Sequence, residues 1–324
     1  MNNDAIGVFD SGLGGLTCVK ELKLLMPNEN IIYFGDTARV PYGTRSKETI
    51  KEYAAQDMAF FKQFNVKMII AACGTVSSVV GLNKNLTGDT PFTGVLLPSA
   101  QAACGATRNG RIGVIGTSAT IKTGAYGKAI RSIKSDISVI GKSCPLLVPI
   151  VENGFADKNN QIAKLAVEHY LKPIKDENVD TLILGCTHYP ILSDIIAEYM
   201  GDSVKLISSG AEAAKYAFSY LTRHELLNES DNDGSLKFYV SDSVDMFKDN
   251  SHLYFDSDIN GNVFKIDIEE LTKLWYLIYC LYLILLKILC IVKNTTKSLG
   301  CCSMHPCVYL RTMAMKLEGY VNIE

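Results

Sequence analysis

Val66-Lys67-Met68-Ile69-Ile70-Ala71-Ala72-Cys73 returns later in the chain as Val179-Asp180-Thr181-Leu182-Ile183-Leu184-Gly185-Cys186. Each stretch is a short apolar run that ends on a cysteine. Runs without polar alternation suit strands buried on both faces, the habit of parallel sheets covered by helices. Similar runs occupy residues 6–9, 31–34, 94–97, 112–115, 137–140 and 204–207, and helical stretches such as 47–64 and 160–171 lie between them. Alternating strand and helix predicts doubly wound α/β architecture. The repeat also extends outward. Ile6-Gly7-Val8 pairs with Ile112-Gly113-Val114, Ile31 to Gly35 with Ile137 to Gly141, and Pro98-Ser99 with Ser208-Ser209. Four matches in one order predict two similar domains with mostly parallel sheets, related by pseudo-two-fold symmetry.

The repeat sets Cys73 and Cys186 at equivalent strand ends. Ligands of open α/β sheets bind outside the carboxyl ends of the strands, and clefts between domains favour small molecules. Two halves that face each other would oppose the two thiols across one interdomain cleft. Inverting a stereocentre needs that arrangement, with one group removing a proton from one face and another returning a proton to the opposite face. Each cysteine is predicted at a strand-to-helix turn, where the helix N-terminus is expected to lower its pKa toward thiolate. A pair of buried structural thiols is the blander alternative, and the matched positions weigh against it.

Other segments gather at the same strand ends. Asp10-Ser11-Gly12-Leu13-Gly14-Gly15 follows the first strand and lacks both the lysine of a phosphate loop and the dinucleotide spacing. It reads as a carboxylate-binding turn, with Asp10 accepting from a substrate ammonium or orienting Cys73. Tyr42 and Gly43 close the polar loop after the second strand. Thr117 and Thr120, on the second-half counterpart of the Asp10 turn, suit a carboxylate. Glu152 is expected near the cleft, with helix capping as the alternative. His188, two residues after Cys186, is expected to orient or assist that thiol as an acid.

Composition agrees with an ordinary enzyme. The 324 residues are 48% apolar with net charge −2, so no basic field points to nucleic acid. No secretion signal precedes the first strand, which predicts a cytoplasmic protein whose ten cysteines are not a disulfide framework. No Cys/His spacing in the first five cysteines predicts a metal.

The words Gly7-Val8-Phe9-Asp10-Ser11-Gly12-Leu13-Gly14-Gly15-Leu16-Thr17, Tyr33-Phe34-Gly35-Asp36-Thr37-Ala38-Arg39-Val40-Pro41-Tyr42-Gly43, Pro149-Ile150-Val151-Glu152-Asn153-Gly154 and Leu184-Gly185-Cys186-Thr187-His188-Tyr189-Pro190 together resemble the glutamate racemases of the aspartate/glutamate racemase superfamily, over about residues 5–270. The resemblance implies interconversion of L- and D-glutamate without pyridoxal phosphate or metal, with D-glutamate feeding peptidoglycan synthesis. It implies Cys73 and Cys186 as proton donors and acceptors, Cys73 toward D-glutamate. It implies a substrate pocket lined by Asp10 with Ser11, Tyr42 with Gly43, Gly74 with Thr75, and Thr187 with His188. It further implies homodimers, and a chain that leaves its first domain near residue 98 and returns near 208. The expected division is residues 1–97 plus 208–270, then 98–207, then a tail from 271 to 324. Two rivals remain: an aspartate racemase, and an impaired paralogue kept as a binding protein, for instance of DNA gyrase.

Two features depart from the family pattern. Gly74 stands where the family carries Asn, and restoring that amide by Gly74→Asn is expected to raise kcat/KM. The tail is apolar from Leu274 to Leu286, then carries Cys301-Cys302 and Cys307 near His305. An altered reading frame or read-through is the favoured reading, ahead of a docked helix and a membrane anchor.

Overall fold

The central strands contain almost nothing that water could solvate, and this decides the layering. β1 (Ala5–Asp10) and β2 (Ile31–Gly35) are buried at every position. Such strands must be covered on both faces, so helices flank each sheet. The computed structural model describes residues 3–81, 90–256 and 259–273, with Leu277 and Leu281.

From β1 the chain runs through α1 (Leu16–Leu25), β2, α2 (Lys47–Phe60), β3 (Val66–Ala71), α3 (Gly74–Val80) and β4 (Phe92–Gly94). Next, α4 (Leu96–Ala106) carries it to β5 (Arg111–Gly116), α5 (Ser118–Thr123), α6 (Ala125–Ile133) and β6 (Ser138–Ser143). Then come α7 (Leu147–Glu152), α8 (Gln161–Asp176), β7 (Thr181–Leu184), α9 (Ser193–Met200) and β8 (Lys205–Ser208). Finally α10 (Ser209–Arg223) brings the chain back for β9 (Leu236–Val240), α11 (Val244–Ser251) and β10 (Val263–Lys265).

One sheet has the order β10-β9-β2-β1-β3-β4 and the other β6-β5-β7-β8, with all neighbours parallel. The run β2-β1-β3-β4 in the first is matched strand for strand by β6-β5-β7-β8 in the second. The repeat in the sequence is therefore a repeat in topology. β9 and β10 extend only the first sheet and have no counterpart.

Two expectations change. The run at 94–97, predicted as a strand, turns at Gly94 and enters α4 at Leu96. Pro98 falls in the first helical turn, where an amide has no partner and its loss costs nothing. The helix predicted over 47–64 ends at Phe60 and tightens into a 3₁₀ turn, Phe61–Gln63. Hydroxyl caps begin several of the other helices: Thr117 accepts from the Thr120 amide and Ser208 from that of Ala211.

The returning segment is tied down by a buried ion pair. Lys67 Nζ lies 2.6 Å from Glu29 Oε2, with both side chains 2% exposed. Lys67 also donates to the Leu226 carbonyl, and Glu29 Oε1 accepts from the Asn228 amide. Apart from the exposed Leu277 and Leu281, the tail from 274 onward, with its membrane, docking and frame readings, lies outside the described residues. No helix among those described is long and apolar enough to cross a membrane.

Candidate active site

Cys73 follows β3 and occupies the N-cap position of α3; Cys186 follows β7. The equivalence of those strands makes the two halves present their cysteines to one another. Both thiols are free and buried. The backbones beside them touch: a Cβ added at Gly74 would stand 2.1 Å from the Gly185 carbonyl oxygen and 3.7 Å from Cys186 Cα. This contact bears on the expectation for Gly74→Asn. An asparagine brings its amide only together with a Cβ that has no room while the halves are in contact.

The expected lowering of the Cys73 pKa is reversed. Burial, reinforced by the charge of Asp10, pushes this thiol up to about 12. The Val76 amide and the Ser11 hydroxyl pull the other way and lose. A helix start of seven residues, buried with a carboxyl beside it, does not overcome desolvation. The thiol points to Ser11, with Sγ 3.6 Å from Oγ.

Asp10 ends β1 and is fully buried. Its Oδ2 accepts from the amides of Gly12 at 3.2 Å and Gly15 at 3.0 Å. Oδ1 is buried without a hydrogen-bond partner. Burial raises its pKa, against the opposing pull of His188 and of these amides.

Cys186, His188 and Glu152 stand in line. Cys186 Sγ is 3.8 Å from His188 Nδ1, and His188 Nε2 is 3.0 Å from Glu152 Oε1. Burial disfavours the charged imidazole, but the hydrogen bonds to Cys186 and Glu152 outweigh it and push His188 up to about 10. Glu152 closes α7 and is 45% exposed, so its carboxylate holds the imidazole from the solvent side. That contact is the role its geometry offers, beside the pocket-lining role expected from sequence.

Hydroxyls form a second string across the cleft. Thr75 Oγ1 lies 2.9 Å from Thr117 Oγ1, which lies 3.0 Å from Thr120 Oγ1. Thr75 comes from the first half, Thr117 and Thr120 from the second. Gly43 packs against Thr117, where an added Cβ would be 2.8 Å from the Thr117 Cβ. Thr187 is buried, and its carbonyl accepts from Thr17 Oγ1 at 3.1 Å.

Tyr42 lies beside Gly43, yet its hydroxyl is already engaged. It donates to Asp36 and stands 3.1 Å from Asp57 Oδ2. Arg39 bridges the same carboxyls, Nε to Asp36 at 2.6 Å and Nη2 to Asp57 at 3.0 Å. Burial and the neighbouring Asp36 raise the Asp57 pKa well above the usual carboxylate range. Tyr42 is buried, and its hydroxyl braces the loop.

Sequence reasoning missed Asp57, Tyr254 and the interdomain contacts of Gly14 and Gly185. Asp57 had a signal: it lies on the buried face of α2 with Ile50, Ala54 and Met58, where an unpaired charge does not belong. Tyr254 had none. It lies beyond α11 in a stretch without periodicity and meets His188 only through the fold.

The Asp/Glu/Hydantoin racemase family profile matches residues 17–217. A glutamate racemase of Geobacter metallireducens is 41% identical over 265 residues, 82% of this chain and 97% of that protein. The crystal structure of the Francisella tularensis glutamate racemase, in complex with D-glutamate, superposes with a TM-score of 0.77 at 37% identity, covering 83% of this chain and 100% of that one. A Bacillus anthracis glutamate racemase gives 0.78 at 35% identity, covering 82% and 98%.

Proposed function

Because the chain belongs to the glutamate racemases of the Asp/Glu/hydantoin racemase family, we propose that Cys73 and Cys186 are the two acid/base groups of its racemase reaction, acting from opposite faces of the glutamate Cα. The observation that carries this reading is the opposition of two buried thiols at equivalent strand ends, with their backbones in contact.

The two thiols start unequal. Cys73, pushed up to about 12, begins as a neutral thiol and therefore as the acid. His188 Nδ1, 3.8 Å from the Cys186 sulfur, is placed to assist proton movement at that thiol, which takes the part of the base. Cys186 takes the α-proton from one face and leaves a carbanion. Cys73 gives its proton to the opposite face, and its sulfur becomes the anion. One proton is taken and one is delivered, so turnover exchanges the protonation states of the thiols. The reverse reaction then begins from Cys73.

Asp10, with one oxygen fixed by backbone amides and one unpartnered, is placed to meet the ammonium. Thr75, Thr117 and Thr120 form a hydroxyl string suited to a carboxylate. Burial excludes water from the carbanion, which would otherwise be quenched from either side. No cofactor enters this scheme, and the D-glutamate formed would supply peptidoglycan synthesis.

Circular dichroism of L- and of D-glutamate, incubated with enzyme dialysed against chelator, tests the scheme. Both signals should decay to zero with the intact protein and persist with Cys73→Ala or Cys186→Ala. A single-cysteine variant that still racemises at the parental rate would overturn the two-thiol assignment. Decay of aspartate in preference to glutamate would overturn the substrate.

A further inference from the structure

Tyr254 lies just beyond α11, in the returning segment of the first half, and is 2% exposed. Its ring meets the His188 imidazole edge to face, with centroids 5.5 Å apart and planes at 89°. Its hydroxyl is buried without a hydrogen-bond partner. Gly14 touches the same imidazole: a Cβ added there would stand 2.7 Å from both Nδ1 and Cε1 of His188, and 2.2 Å from Thr187 Oγ1. His188 belongs to the second half. Gly14 and Tyr254, the walls that receive its ring, both belong to the first.

We propose that Gly14 and Tyr254 form an interdomain slot for the His188 imidazole, and that Tyr254 is the positioning residue that holds this ring in line between Cys186 and Glu152. The proposal rests on the reading of Cys186 as one of the two acid/base groups.

The physical case has three parts. An imidazole held at both nitrogens can still rotate about that axis unless a neighbour fills the side of the ring, and Tyr254 does so. A T-shaped pair of rings is also favourable beyond the area it buries, which fixes the imidazole where it meets Cys186 and Glu152. Finally, an unpartnered buried hydroxyl is itself unfavourable, so the ring and not the hydroxyl carries the benefit. The charged or titratable groups that face His188 are Cys186 from its own loop, Glu152 from α7, Asp10 from the end of β1 and Tyr254. The first three stay in place when Tyr254 is changed, so a shift in His188 then reports the slot.

Two variants separate ring from hydroxyl. Tyr254→Phe keeps the wall and is expected to preserve activity and its pH profile. Tyr254→Leu removes the wall and is expected to lower kcat/KM by about 10- to 100-fold. The loss should be equal from L- and D-glutamate, because enantiomers are equal in energy. It should fall mainly on kcat, and the alkaline limb should move to lower pH. The His188 ring proton, followed by NMR and assigned by its absence in His188→Asn, should titrate lower in Tyr254→Leu than in the parent. A folded Tyr254→Leu protein with parental activity and His188 titration would overturn the proposal, as would Tyr254→Phe falling as far as Tyr254→Leu. If Tyr254→Leu does not fold, Gly14→Ala narrows the slot from the other wall and should displace the same titration. An unchanged titration in folded Gly14→Ala also overturns it. The NMR readout needs no turnover, so a parent protein inert on glutamate would sink the reading of the reaction and leave the slot to be decided by itself.

Discussion

Gly74 stands where any side chain would hold the two halves apart. An added Cβ meets a backbone oxygen, which cannot rotate away, so the halves must part by on the order of 1 Å. Misplacement of that size at reacting groups costs on the order of 100-fold in rate. Gly74→Ala is therefore expected to lower kcat/KM by about 10- to 100-fold, with Gly74→Asn falling too, in the dichroism assay. An increase for the asparagine variant would restore the expectation drawn from sequence. At this scale the thiols were legible, because a repeated motif ending in cysteine is visible in one dimension. Their electrostatics were not, since burial of Cys73 and the nearness of Asp10 arise only from folding. His188 illustrates the same limit. Its pKa is raised from 6.5 to about 10, so its pairing with Cys186 and Glu152 adds stability that is complete below about 6.5 and lost as the pH rises through 10. Glu152→Gln should remove part of that dependence and leave the part owed to Cys186, as read by urea denaturation at pH 6 and pH 10.

Among the elements, α2 and the loop after β2 depend on each other through one buried cluster. Arg39 lies between the carboxyls of Asp36 and Asp57 while its guanidinium stacks 4.1 Å over the Tyr53 ring. Removing the cation leaves buried carboxylate without compensation. Arg39→Met is expected to cost about 3–5 kcal/mol in equilibrium denaturation. Asp57→Asn should behave differently. The folded pKa of Asp57 is raised, so this carboxyl favours folding at pH values below its unfolded pKa and loses that contribution as pH climbs through the folded value. The variant should gain stability relative to the parent as pH increases, and a constant difference from pH 5 to pH 9 would contradict this. The runs that became β1, β2, β3, β5 and β7 were read correctly from sequence because burial on both faces leaves no other pattern, whereas β6 and β8 form where predicted but are largely accessible. β9 was not read, since only Phe238 and Val240 are buried and exposed Lys237 breaks the apolar run. The start of α4 was misread because Pro98 suits a first helical turn as well as a strand end.

For the whole molecule, the repeat supplied the doubled architecture before any coordinate, since two copies of one strand order must give two sheets of one topology. It could not supply β9 and β10, which lack a second copy. Those strands reach the first sheet through a segment latched by Lys67 and Glu29. Lys67→Met should lower the stability of the fold by about 3–5 kcal/mol and expose the 226–235 segment to limited proteolysis first. The same crossing has a consequence for synthesis. A ribosome releases β1 to β4, then the entire β5 to β8 unit, and only afterwards the two strands that complete the first sheet. The later unit is contiguous and can close as it emerges. The earlier one must wait with the β2 edge open until β9, ending at residue 240, has left the exit tunnel, so a chain stalled near residue 225 would hold a finished half joined to an unfinished one.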